Sequence, residues 1–297
     1  MNNLNLVPKV ANSQVHVLGE GPFWDYKNEE ILWVDIKAGI QYEGKLKNNG
    51  TIEVLKKHKF ENTVSAVAAG NNNLKIIANG EFVQVIKDEE IIESIRLLNA
   101  NGTRRLNDGK PDPLGRYFVG SLAFDGKSTT EQLFMVDTNR NVIEIDHDLT
   151  LSNGLAWNVA GNKFYSIDTF TKKVFVRDYE TVTGKLGDRK TFFEILEGYP
   201  DGMCIDSQDH LWIAIWGTGE ILRISPNGKL VSKILVPAPH TTCVTFAGPN
   251  LDVLVITTAA DDLNNEQLIK YPNSGCLFTV RPGVTGIKQS LWSGFDD

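Results

Sequence analysis

Cysteine is scarce in this chain, with Cys204, Cys243 and Cys276 the only three among 297 residues. An odd number of thiols cannot complete a disulfide framework, so the sequence suits a reducing compartment and its cysteines read as buried apolar fillers. Long apolar runs are missing as well. The longest, around Val253 to Ala260, is far shorter than a membrane span, and the opening Met-Asn-Asn-Leu-Asn-Leu has neither the basic region nor the apolar stretch of a signal peptide. A soluble, cytoplasmic chain with no membrane partner is the expectation. Basic residues are in deficit, 30 against 37 acidic, and the net charge of -7 repels phosphate backbones, which argues against a nucleic-acid partner.

Several catalytic signatures are also absent. The five histidines, His16, His58, His147, His210 and His240, are scattered, with no His-Glu-x-x-His pattern and no paired cysteines to make a zinc hydrolase. No Gly-x-Ser-x-Gly elbow, phosphate loop or dinucleotide fingerprint occurs in a strand-turn-helix context, which disfavours α/β-hydrolase and nucleotide chemistry. Sustained helical periodicity is missing outside a short stretch, Leu263 to Ile269.

What is present is a repeat. A short apolar strand opens with a polar residue, meets a turn five residues on, and is followed by a second apolar strand. The pattern recurs in EGPFWD from Glu20, SAVAAG from Ser65, NDGKPD from Asn107, NGLAWN from Asn153, DGMCID from Asp201 and TCVTFA from Thr242. Turns fall at Asp25, Gly70, Asp112, Asn158, Asp206 and Ala247, and second strands begin at Ile31, Leu74, Arg116, Lys163, Leu211 and Asp252. Successive openings are 45, 42, 46, 48 and 41 residues apart, room for about four strands per unit. Units of this size repeated radially predict an all-β, six-bladed β-propeller occupying residues 1–297 as one domain, with a β-sandwich pair as the alternative. Ring closure by an N-terminal strand joining the last blade is expected, and Gln14 to Leu18 is the piece that reads as a strand there.

The phase of the repeat has a chemical consequence. In a propeller the first strand of each blade lines the central channel, so Glu20, Ser65, Asn107, Asn153, Asp201 and Thr242 should converge at one mouth of it. A buried ring holding the carboxylates of Glu20 and Asp201 repels itself unless a cation or a proton lies between them. Oxygen donors without Cys or His favour a hard cation, and Glu20, Asn153 and Asp201 are its candidate ligands. Ca2+ stands first, with Mg2+, Mn2+ or Zn2+ as the other candidates. Three side chains leave about half of a calcium shell open, which suits a catalytic site better than a structural one. Taken singly, Asn153 and Asp201 precede glycine and read as turn residues, and Glu20 as a solvated loop charge; their shared phase argues otherwise. Asp108, out of phase with Asn107 by strand alternation, reads as structural. Arg105 shares the face of Asn107 and could reach a polar substrate.

These residues also carry a resemblance. Gly19-Glu20-Gly21-Pro22-Phe23-Trp24, the run RLNDGKPDPLGRYFVGSL from Arg105 to Leu122, SNGLAW from Ser152, PDGMCID from Pro200 and HTTCVTFAG from His240 resemble the regucalcin/gluconolactonase family, also called the senescence marker protein and luciferin-regenerating enzyme family. The similarity runs through essentially the whole chain. It implies a six-bladed propeller, a single divalent metal in the channel and hydrolysis of small-molecule sugar lactones such as gluconolactone. The family's metal ligands fall on Glu20, Asn153 and Asp201, and its substrate-contacting arginine and asparagine on Arg105 and Asn107. A glutamate that contacts substrate in the animal members falls on Asp125, after a Ser121-Leu122-Ala123-Phe124 that departs from the family pattern and before a shortened Gly126 to Glu131. The expected mechanism has the metal polarise the lactone carbonyl, with Asp201 the candidate general base for water attack. Two alternatives remain at this point: hydrolysis of organophosphate triesters in the same site, or a non-catalytic calcium-binding propeller.

Overall fold

Strand formation follows the repeat closely, and in four of the six units the turn residue shows why. Asp25 Oδ1 accepts from the backbone N–H groups of Lys27 and Asn28, and Asp112 Oδ1 from those of Leu114 and Arg116. Asn158 Oδ1 does the same for Asn162 and Lys163, and Asp206 Oδ1 for Gln208 and His210. Each side chain thus satisfies the turn's own donors and reverses the chain into the second strand. The computed structural model describes residues 6–295.

Six antiparallel sheets result, arranged as a six-bladed β-propeller. The innermost strands are Gly19–Asp25, Val64–Ala69, Arg104–Pro111, Ser152–Trp157, Tyr199–Ile205 and Thr241–Ala247, and each packs against the innermost strand of the next blade. Five blades are four-stranded, and the fourth adds the short Lys185–Leu186. The apolar core is divided among the seams between blades. Phe23, Val67, Ile76 and Phe134 belong to one cluster, Trp212, Phe246 and Phe278 to a second, and Trp33, Val255 and Leu277 to a third. No described helix is long and apolar enough to cross a membrane.

The outermost strand of the sixth blade is Lys9–Asn12, which pairs antiparallel with Leu277–Val280. That corrects the expectation for Gln14 to Leu18. In that segment the apolar Val15 and Val17 face solvent while His16 is fully buried, accepting from Trp33 Nε1 at 3.0 Å. Its backbone makes scattered bonds to the sixth blade, His16 N to Gly275 O and Ala260 N to Val17 O, without forming a continuous ladder, and Val17 and Leu18 N–H donate to the Asp35 side chain. The short helix is Asn265–Lys270, starting later than the expected Leu263 because Asn264 caps it: Asn264 Oδ1 accepts from Gln267 N and Gln267 Oε1 from Asn264 N. All three cysteines are buried and free.

After the last strand the chain does not stop at the sixth blade. Residues 284–293 cross the mouth of the channel opposite the one where the innermost strands begin. Ser207 N bonds Thr285 O in the fifth blade, Trp24 N bonds Gln289 Oε1 in the first, Trp292 N bonds Ala69 O in the second, and Ser293 N bonds Gly115 O in the third. This segment is a strap over that mouth.

Candidate functional site

Where the innermost strands begin, a cavity of 360 Å3 opens, lined by Glu20, Arg105, Asn107, Asn153 and Asp201. Residues from four blades, far apart in sequence, are thereby brought together. Local backbone geometry turns them inward. Every innermost strand slips register at its start: between Glu20 and Phe23, Val64 and Ala66, Leu106 and Gly109, Asn153 and Leu155, Pro200 and Met203, and Thr241 and Cys243. A β-bulge in that position re-aims side chains that the ladder would otherwise direct alternately. The glycines after Asn153 and Asp201 lie inside strands, so neither Asn-Gly nor Asp-Gly is a turn here. They give the next blade room. A Cβ on Gly154 would lie 2.7 Å from Asp201 O, and one on Gly202 would lie 2.9 Å from Cys243 Cα.

Three of the six opening residues link neighbouring blades. Ser65 Oγ donates to Asn107 O at 3.0 Å, Thr242 Oγ1 to Gly19 O at 2.6 Å, and Asn107 Nδ2 to Ser152 O at 2.9 Å. Asn107 Nδ2 also reaches Asn153 Oδ1 at 3.1 Å, while Asn153 Nδ2 donates to Thr169 Oγ1 at 3.1 Å. The Asn153 amide is therefore fixed in orientation, with one oxygen lone pair still free. Thr169 in turn donates to Pro200 O at 2.8 Å, joining the fourth blade to the fifth.

That leaves the carboxylates. Glu20 is 7% and Asp201 9% exposed. Burial pushes the Glu20 carboxyl well above the usual range, and the neighbouring Asp201 and Asp108 charges add to the shift. Asp201 is raised in the same direction by burial and by Asp108, with Asn153, Arg105 and Glu20 pulling back. Arg105 is pushed down to about 10 by its burial, against the support of Glu20 and Asp201. Its Nη1 bonds Leu106 O at 2.9 Å and Asn107 Oδ1 at 2.7 Å, which locks the guanidinium along the cavity wall.

Asp108 departs from its expected position. Strict alternation puts it away from the axis, yet the register slip between Leu106 and Gly109 breaks that alternation. It is buried, its Oδ2 has no hydrogen-bond partner among the described residues, and its charge acts on both Glu20 and Asp201. A divalent cation fits this setting. The donors are all oxygens, the carboxylates are deprived of water, and an orphaned carboxylate oxygen lies buried within electrostatic reach. Cys243, the buried thiol nearby, is held well above its ordinary value by burial and by Glu20 and Asp108.

Sequence reasoning missed the rest of the wall. Ile36, Leu122, Thr169 and Trp216 line the cavity from the ends of the second strands or the turn just after, and Phe170 and Tyr199 complete an aromatic side. Because paired strands run antiparallel, the end of each second strand returns to the mouth where the first began, a signal the strand pattern already contains. Trp216 is stacked on His240, with ring centroids 3.9 Å apart. Asp125 is not brought into this lining. It is exposed on a turn, where Oδ1 accepts from Lys127 N at 3.0 Å, and the adjacent Gly126 approaches Phe170.

Comparison with known proteins gives the same architecture. The family model of the SMP-30/Gluconolactonase/LRE-like region matches residues 18–260. Regucalcin of Danio rerio is 34% identical over 286 residues, covering 93% of this chain and 95% of that protein. YvrE of Bacillus subtilis, a candidate sugar lactone lactonase by name, is 29% identical and covers 94% of this chain and 96% of its own. Among solved structures, the calcium-binding protein regucalcin from Agrobacterium tumefaciens superposes with a TM-score of 0.90 at 24% identity, over 97% of both chains, a likeness of fold.

Proposed function

Because the chain belongs to the SMP-30/gluconolactonase/LRE-like family, we propose that it is a metal-dependent lactonase that opens sugar lactones, with residues 1–297 acting as one domain. The observation that carries this reading is the convergence of Glu20, Asn153 and Asp201, two of them water-deprived carboxylates, in one cavity with Arg105 and Asn107. Glu20, Asn153 and Asp201 would hold the cation, Ca2+ first among the candidates. When bound, it supplies positive charge for the lactone carbonyl and raises the acidity of nearby water.

The chain's own residues do the rest. Asp201 accepts the proton of the attacking water and returns it to the ring oxygen as the ester bond breaks, so the carboxylate ends as it began. Arg105 and Asn107 orient substrate hydroxyls, and the fixed Arg105 guanidinium does so without a search for its rotamer. Asp125, on the turn beside Phe170, is the proposed contact for hydroxyls that project past the rim. The aromatic side formed by Phe170, Tyr199 and Trp216 keeps bulk water from the reacting bond.

Stripping the purified protein of metal and assaying a lactone panel before and after reloading tests the reading. Turnover should vanish and return; turnover that survives exhaustive stripping overturns it. Adding phosphotriesters to the panel separates the organophosphate alternative, and tight calcium binding with no turnover of either class would favour a non-catalytic propeller. Arg105→Ala should impair polyhydroxylated lactones far more than aliphatic ones, and equal loss on both removes its role as a hydroxyl reader.

A further inference from the structure

A second cavity, of 260 Å3, lies at the opposite end of the innermost strands, beneath the strap. In the fourth blade Asn153 lines the first cavity while Ala156 and Trp157 line the second, so the two are separated by roughly 10–13 Å of strand. None of the second cavity's lining residues belongs to the candidate lactonase site. Its walls are mostly apolar, from Pro111, Pro113, Val159, Ile205, Phe246 and Ile287.

Two buried polar atoms within this lining are left without a partner among the described residues, while Asn158 Oδ1 and Gln289 Oε1 are already engaged as acceptors. Thr245 Oγ1 and Trp157 Nε1 are buried and have no hydrogen-bond partner among the described residues, and both side chains line the cavity. Residues 0% and 6% exposed do not ordinarily leave such groups unsatisfied. An indole N–H can only donate, and a hydroxyl can do so as well. Lys110 adds a half-buried ammonium that donates to Met203 O at 2.8 Å and keeps two further protons, and Lys288 adds a second cation at the edge. No Asp or Glu lines the cavity. In a chain of net charge -7, this is a mostly apolar pocket whose charged side chains are both basic and whose unpartnered polar atoms can donate.

We propose that this cavity is a binding site for a small organic monocarboxylate with a flat apolar body, its carboxylate held by Lys110 with Thr245 and Trp157 as neutral donors. The donors call for an acceptor-rich group, and the ammonium favours an anion. The walls exclude a polyhydroxylated sugar acid, which would lose the water on its hydroxyls without replacement. The site stands apart from the lactonase reading and survives the failure of that reading.

The probe is 3-phenylpropanoate, titrated against the full-length protein and followed by calorimetry and by Trp fluorescence, in the Glu20→Gln background so that the cation site contributes nothing. Saturable binding is expected below roughly 1 mM, the range of weak specific sites. The uncharged 3-phenylpropanamide and gluconate should each bind at least about tenfold more weakly, and Lys110→Met should weaken the acid by a similar factor. Thr245→Val, which keeps shape, should weaken it by a few-fold. Lys288→Met, at an exposed position, guards against misfolding and should also lower affinity. Equal binding of acid and amide, full retention of acid binding in folded Lys110→Met, or no saturation by roughly 10 mM each overturns the proposal.

Discussion

A carboxylate shut away from water holds its proton more tightly than one in solution, and Glu20 and Asp201 both show the effect. The stability consequence has a definite sign. In the metal-free protein the folded state binds more protons than the unfolded chain, so these groups favour folding less as pH rises above the ordinary carboxylate range of about 4. Glu20→Gln removes part of that burden. Metal-free Glu20→Gln should therefore melt above metal-free wild type, by a margin that widens as pH rises above the ordinary carboxylate range of about 4, and calcium should raise the melting temperature of wild type only. A margin that shrinks with pH would contradict the assignment. Asp201→Asn should cost turnover at least about a hundredfold, in kcat more than in KM, without lowering the metal-free melting temperature. These residues were legible in the sequence because both open repeats at the same phase, which no set of independent turns would arrange. Thr242 and Ser65 open repeats too, yet their hydroxyls join blade to blade; phase finds the ring of positions but not what each oxygen does.

The innermost strand, with its bulge, is the element that converts sequence phase into geometry. Alternation, applied strictly, misplaced Asp108, because a slipped register between Leu106 and Gly109 is a property of two paired strands and is invisible in either alone. Thr169 and Trp216 were missed for a related reason: they arrive on returning strands, outside the opening motif. Gln14 to Leu18 misled by showing apolar alternation on the face that meets solvent. The glycines behind the site residues are explained at this scale. Gly202→Ala forces a Cβ to within 2.9 Å of the Cys243 backbone, and chemical denaturation should show a loss of about 1–3 kcal/mol. A neutral result would mean that adjacent blades separate more easily than their packing indicates.

At the scale of the whole molecule, the repeat period foretold six blades, but the strap had no repeat to announce it. Its anchors are hydrogen bonds to five of the six blades, the sixth through Gly286 N to Leu251 O, and its one fully buried large side chain is Trp292, seated in the cluster that joins the first three. Ending the chain after residue 282 should leave a protein with the same strand content and a melting temperature lower by several degrees, since burying one large aromatic side chain is worth about 2–3 kcal/mol. An unchanged melting temperature would show the strap to be ornament.

The strap also sets a schedule. Asn71 meets Ser293, 222 residues later in the chain. At synthesis rates of about 5–20 residues per second, the second blade waits roughly 10–45 s for the residue that covers it. Throughout that interval the nascent wheel has that end of its hub uncovered, and Trp292 can seat among the blades made first only after residues 284–293 have left the ribosome.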